Sequence, residues 1–410
     1  MREDTPPHEP NTDDLLDHDE MIYIGDLNDE VIEDFGEAIG ADESDDNDEE
    51  GLGVVEEMPE EESETPERDD SILTFKQHEA PIFCAALHPT ENLAVTGSED
   101  DKAYIWNTET GEVVYQVNDH HDSVISAEFS HDGVYVATAD IAGEIQVFKT
   151  TKEYKKVWSF SMGDMCWMKW HTGGHVLLAG SDSGEIYVWR IPSGDCKVLQ
   201  GYGEKCETAT LTLDGKKLAA GYGDGMFKLW DIKSCAALIE MPPNNTLGHT
   251  GTITSISCDK DNHMILTGSE DGKATLIGPN GPVGSLSPNA GAIETVLLDC
   301  PDLDTKIAVT GTLDGKVTIW DVSRQIPRTE CEDPNPVGIT RMIWAKDHAI
   351  LAGTLNGAIK VWDARTGQLR FSLLGHTDNI NDVYYDRNKN IILTASEDNT
   401  AKIFNYNLPI

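Results

Sequence analysis

The chain has 410 residues, 39% of them hydrophobic, and 74 Asp/Glu against 30 Lys/Arg give it a formal net charge of −44. That length suffices for a large core. The acidity argues against direct DNA or RNA binding, whose phosphate contacts need Lys and Arg, and favours cationic partners such as basic protein segments, histone-like tails or ribosomal proteins.

The charge is unevenly spread. Residues 1–70 hold 30 Asp/Glu and 2 Lys/Arg, a net −28, leaving −16 for the remainder. Runs such as Glu43-Ser44-Asp45-Asp46-Asn47-Asp48-Glu49-Glu50 repel themselves and stay solvated, so a mostly disordered acidic arm is expected over 1–70. Within it Ile24, Leu27, Val31, Phe35 and Ile39 recur at helical spacing. Residues 21–40 therefore read as a docking helix, a segment that folds back, or a transient helix without a role. No secretory signal follows Met1-Arg2-Glu3-Asp4 and no apolar run reaches membrane-spanning length. The eight cysteines (Cys84, Cys166, Cys196, Cys206, Cys235, Cys258, Cys300, Cys331) are scattered without CxxC or finger spacing. A reduced intracellular monomer is expected, cytoplasmic with the nucleus as a second compartment, without membrane insertion, metal or cofactor.

From residue 71 onward one unit repeats. It reads GSEDDKAYIWN from Gly97, GSDSGEIYVWR from Gly180, GYGDGMFKLWD from Gly221, GTLDGKVTIWD from Gly311 and GTLNGAIKVWD from Gly353, with weaker copies from Thr138, Gly268 and Ala395. The closing residues Trp106, Phe148, Trp189, Trp230, Ile277, Trp320, Trp362 and Phe404 lie 42, 41, 41, 47, 43, 42 and 42 residues apart. This period with a terminal Trp-Asp marks WD repeats, each about one four-stranded propeller blade. Asp224-Gly225, Asp271-Gly272, Asp314-Gly315 and Asn356-Gly357 supply the positive φ of tight hairpins. Too few residues follow Phe404 for another strand, so Ser71–Phe75 is expected to complete the last blade and latch the ring. The fold expected is an all-β, eight-bladed propeller over 71–410.

A buried hydrogen-bonded chain of His, Ser/Thr, turn Asp and Trp accompanies such repeats. His78, Thr96, Asp100 and Trp106 fill all four places; His249, Thr267 and Asp271 fill three, as do His376, Thr394 and Asp398. The units that lack the His carry Ala179, Ala220 and Ala352 at the hydroxyl position, as expected for a network better absent than half satisfied. His120 of His120-His121-Asp122 sits in the same structural place. Gly268–Lys273 and Gly311–Lys316 resemble phosphate loops but are one residue short and precede no helix. No nucleophile, base and orienting group recur together, so no catalytic residue is assigned.

The residue just before the turn Asp should lie on one rim of the central channel. These positions read Glu99, Ile141, Asp182, Gly223, Glu270, Leu313, Leu355 and Glu397, and the loops entering the inner strands add Glu79, Asp119, Asp122, Glu204 and Asp378. An acidic face is expected, with Glu79, Glu99, Asp122, Asp182, Glu270, Asp378 and Glu397 as partner-binding candidates and an apolar sector at Leu313 and Leu355. Such a face steers and grips a Lys/Arg-rich peptide. Trp158, Trp167, Trp170 and Trp344 lie outside the closing positions and read as core fillers or an aromatic patch.

The chain resembles the angio-associated migratory cell protein family. The resemblance spans arm and repeats and is carried by Leu93–Ala103, by Val157-Trp158-Ser159-Phe160 with Trp167-Met168-Lys169-Trp170-His171, by Gly194-Asp195-Cys196-Lys197, and by Leu355–Gly357 with Val361–Gly367. It implies an eight-bladed fold similar to a fungal chaperone that captures the basic N-terminal segment of a large-subunit ribosomal protein. It also implies links to cell migration, angiogenic signalling and heparin-type binding. The last fits poorly, since the best basic cluster, Lys149–Lys156, is short and alone. Three functions follow: a chaperone for a basic ribosomal-protein segment, a cytoplasmic signalling scaffold in migration, and a cullin-type ligase receptor suggested by Trp362-Asp363-Ala364-Arg365.

Overall fold

A computed structural model describes residues 68–151, 153–288 and 291–406. The acidic arm short of Arg68 and its 21–40 stretch lie outside them. The strand periodicity resolves into eight antiparallel four-stranded sheets. Seven are consecutive in sequence. Blade one, for example, runs Ile82–Leu87, Leu93–Ser98, Ala103–Asn107 and Val113–Val117 from inner to outer strand. The eighth takes Ile380–Asp386, Ile391–Ser396 and Ala401–Asn405 from the end of the chain and Ser71–Phe75 from its beginning. The pairing aligns Leu73 with Ile403 and Phe75 with Ala401. The latch begins slightly before the strand: Asp69 holds Lys402 Nζ at 2.8 Å, and Asp70 exchanges bonds with the backbone of Leu374.

The core lies between blades. Three of the closing tryptophans, Trp106, Trp189 and Trp362, are fully buried among Val, Ile and Ala of adjoining sheets. Close blade approach explains the glycine next to the end of six of the eight second strands, with Ala139 and Ala395 in the other two: a Cβ on Gly353 would stand 2.8 Å from Ile380 Cγ2 of the next blade. The Asp-Gly and Asn-Gly turns adopt the required left-handed backbone, with φ of 92° at Gly225 and 76° at Gly357. All eight cysteines are unpaired.

Every inner strand shifts register against the second strand at one place, between Ile82 and Cys84 in blade one and between Ile380 and Asp382 in blade eight. Such a bulge turns two successive side chains the same way. Eight bulges in a ring thus crowd extra side chains toward the axis, and this irregularity builds the central site.

Candidate functional site

The His networks anchor the loops around the axis. His78 Nδ1 bonds Asp100 at 3.0 Å and its Nε2 bonds Thr96 Oγ1 at 2.9 Å. His249 joins Thr267 and Asp271, and His376 joins Thr394 and Asp398, in the same way. All three rings are fully shielded. Burial raises the carboxyls of Asp271 and Asp398, but bonds from His249 and His376 and from backbone N–H groups outweigh it and hold both at about 2.

Two features differ from the expected tetrad. Trp106 Nε1 has no hydrogen-bond partner among the described residues; the indole is held by stacking on Phe75, centroids 4.6 Å apart and planes within 7°. Blade two, in turn, has the His, Thr and Asp of the network, with Phe148 at the Trp place. His120 bonds Thr138 Oγ1 at 2.8 Å and Asp140 at 3.1 Å. Asp140 stands two residues nearer the Thr than Asp100 does, so the repeat register alone hides it. In blade seven, which lacks the His, Lys360 of the third strand instead makes a buried pair at 2.6 Å with Asp333 of the loop before the inner strand.

The turn positions read from the repeat are equivalent in space. Each donates its backbone N–H to the loop entering its inner strand: Glu99 to Pro81, Ile141 to Ser123, Asp182 to Asp164, Gly223 to Lys205, Glu270 to Thr252, Leu313 to Ala292, Leu355 to Gly338 and Glu397 to Asn379, at 2.9–3.2 Å. Glu79, Glu99, Asp122, Asp182, Glu270 and Asp378 are exposed and Glu397 half-buried. Glu79 lies 3.8 Å from Lys102, and Asp122 and Asp378 each cap the next residue's N–H. Leu313 and Leu355 are exposed, and Leu355 covers Gly338, where a Cβ would meet its Cδ1 at 2.4 Å.

These residues do not converge as one set. Among the seven rim carboxylates only Glu270 lines the central cavity of about 640 Å³, while Glu397 reaches it through Asn381 Nδ2 at 3.0 Å. The cavity wall is made instead by the bulged inner strands. Glu207 and Glu294 occupy the first bulge position, Arg341 and Asp382 the second, and Glu128 and Lys169 lie two residues beyond it. With Glu270 the wall carries five carboxylates against two cations. Arg341 lies 3.6 Å from Asp382, and Lys205 outside the wall holds Glu207 at 2.9 Å. Burial raises the Glu294 carboxyl and Glu270 repels it further. Burial also raises Glu128 and lowers Lys169, each opposed by the other's charge. The cavity is thus a confined, net negative, partly desolvated site, where a cation gains more than at the open surface. A signal for it exists in sequence: a lone charged residue inside an otherwise apolar inner strand, as in Ala292-Ile293-Glu294-Thr295-Val296.

Three of the four extra tryptophans bond across blades, and Trp158 packs on Trp189 of the third blade at 5.3 Å. Trp167 donates to Cys206 O at 3.1 Å, Trp170 to Glu128 O at 3.0 Å and Trp344 to Leu298 O at 3.3 Å. Arg365 folds back on Asp363 with two bonds of 2.8–3.1 Å, and Arg370 holds the same carboxylate, so this Trp-Asp-x-Arg motif is internally engaged.

Comparison with known proteins agrees with this architecture. The WD domain, G-beta repeat model matches residues 69–107 and 241–277, and the model of the nucleolar protein 10-like N-terminal domain matches 289–408. The chain is 37% identical over 353 residues to angio-associated migratory cell protein of Homo sapiens and of Canis lupus familiaris, covering 82% of this chain and 80% of each relative. Among solved structures it is similar to Saccharomyces cerevisiae Sqt1 (19% identity, TM-score 0.74, 83% of this chain and 100% of that one). It is also similar to Chaetomium thermophilum Sqt1 bound to the N-terminus of the ribosomal protein L10 (17%, TM-score 0.75, 82% and 100%).

Proposed function

Because this chain belongs to the angio-associated migratory cell protein family, we propose that it is a non-enzymatic scaffold holding a basic segment of a client protein, foremost a large-subunit ribosomal protein before its assembly. The observation that carries this reading is the cavity wall, with five carboxylates against two cations at the axis of a rigid ring. A Lys or Arg side chain entering there meets Glu207, Glu294 and Asp382, while its aliphatic stem lies along Phe83 and Ile125. The exposed rim carboxylates steer its approach. The structure of Chaetomium thermophilum Sqt1 bound to the N-terminus of the ribosomal protein L10 supports the same use of the fold. The buried histidines support a non-enzymatic role, since both ring nitrogens are engaged in structural bonds.

The test is titration of the full chain with a Lys/Arg-rich N-terminal peptide of a large-subunit ribosomal protein at several salt concentrations. The Glu207→Gln/Glu294→Gln variant should bind at least about tenfold more weakly, a loss of about 1.4 kcal/mol, and with a shallower salt dependence. Joint charge reversal of Glu99, Glu270 and Glu397 should slow association. Unchanged binding in both variants would remove the axial site from the reading and leave the arm as the binder. A second reading, a docking protein in cell migration, draws on the exposed apolar sector at Leu313 and Leu355. It predicts a partner retained at high salt and lost on Leu313→Asp/Leu355→Asp.

A further inference from the structure

The turns joining inner to second strands lie on the face opposite the rim, because successive turns of an antiparallel blade alternate sides. On that face the turns of blades two and three meet. His175 Nε2 lies 2.8 Å from Asp132 Oδ2, and the ring of His131 lies 5.7 Å, centroid to centroid, from that of His175. The two imidazoles and the carboxylate offer ligand atoms that all lie within 4.8 Å of one another. We propose that His131, Asp132 and His175 form a surface site for a zinc-type divalent cation that clips blade two to blade three.

The donor set is one zinc accepts, two imidazole nitrogens and a carboxylate oxygen with a fourth position left to water. Tetrahedral bonds of roughly 2.0–2.1 Å separate ligand atoms by roughly 3.3 Å. The Asp132–His175 pair already stands near that spacing, and rotation of the exposed His131 ring closes the remainder. The carboxylate is fixed from behind: Asp132 Oδ1 accepts bonds from Ser130 Oγ at 2.8 Å and Val134 N at 3.1 Å, which leaves Oδ2 directed at His175. The His175 ring is braced edge-on against Tyr135, 4.8 Å away and at 90°. Outer-shell support of this kind orients metal ligands. His131 is the informative member. An interblade tie needs only Asp132 and His175, whereas the His131 ring makes no hydrogen bond among the described residues. Asp132 and His175 lie 43 positions apart, about one repeat, so no linear metal-spacing motif shows the site. It is independent of the client-binding reading, on the other face.

The experiment uses the full chain, stripped with chelator and titrated with Zn²⁺ by calorimetry, with Co²⁺ absorption as a second readout. The wild type should take up one ion in a site that His131→Ala and His175→Ala each weaken at least about tenfold, while His121→Ala leaves it intact. Zinc should raise the melting temperature of the wild type and not of His131→Ala, whose metal-free melting matches the wild type. Equal uptake by wild type and His131→Ala, whether strong or absent, would overturn the site and assign any bound cation to acidic side chains elsewhere.

Discussion

Phe75→Ala tests the ring latch most directly. Phe75 is 1% exposed, stacks on Trp106 of the first blade and meets Tyr104 edge-on at 5.7 Å. Its strand closes the eighth blade by pairing with Ala401–Asn405, so Phe75 ties that closing blade to the first. Truncation removes a fully buried phenyl and leaves a cavity beside an indole whose N–H already lacks a partner; such changes cost about 3–5 kcal/mol. A propeller of about 340 residues unfolds with an entropy of about 0.7 kcal/mol/K. A loss of about 4 kcal/mol therefore lowers the melting temperature by about 6 °C. Ile72→Ala is the control, since Ile72 sits in the same strand but is 61% exposed; its cost should stay within about 0.5 kcal/mol, under 1 °C. Calorimetry and limited proteolysis near residue 70 read both. In Phe75→Ala, release of the strand also uncovers the edge of Ala401–Asn405, which favours association between chains. Equal melting of the two variants would refute a closure that depends on Phe75 packing across blades.

Three further outcomes follow from the geometry. The Asp398 carboxyl is held at about 2 against an ordinary 3.8, and its side chain is only 7% exposed. A depressed pKa stabilises above the unfolded value and loses that contribution as pH falls through the folded one. The wild type should therefore exceed Asp398→Asn by about 2 kcal/mol near pH 6, with the difference shrinking from about pH 5 and gone near pH 2, in urea titrations. A Cβ on Gly180 would stand 2.3 Å from the Trp167 indole nitrogen, so Gly180→Ala should cost about 1–3 kcal/mol, and Trp167→Phe in the same chain should recover part of that loss in a double-mutant cycle. Lys360→Met strands the buried Asp333 carboxylate and should cost about 3–5 kcal/mol, whereas Lys360→Met/Asp333→Leu should cost much less.

The architecture was legible because it repeats. A period of about 42 residues, Asp-Gly turns and a spare strand before the first unit determine blade number and closure, since each blade can bury its faces only against the next. The equivalence of the eight turn positions was legible for the same reason: one turn geometry recurs eight times, and the common N–H bond from Glu99, Leu313 and their equivalents follows from it. Asp140 was not, because a carboxylate two residues out of register reaches the same imidazole. Sequence registers count residues, whereas the hydrogen bond depends on position in space.

The cavity wall escaped for a deeper physical reason. Strand periodicity assigns alternate residues to opposite faces, and a bulge breaks that rule at the place where each inner strand meets the axis. Glu207 and Thr208, or Asn381 and Asp382, would point apart in a regular strand; the bulge turns both toward the channel. The same step explains why a charge is tolerated inside an apolar strand. At Glu294 the side chain enters the shared central cavity instead of the sheet-to-sheet core occupied by Ile293 and Val296. Repetition therefore specifies the scaffold, and departures from repetition mark its candidate sites: the lone charged residues on the bulged strands at the axis and, on the opposite face, the two histidines about one repeat apart.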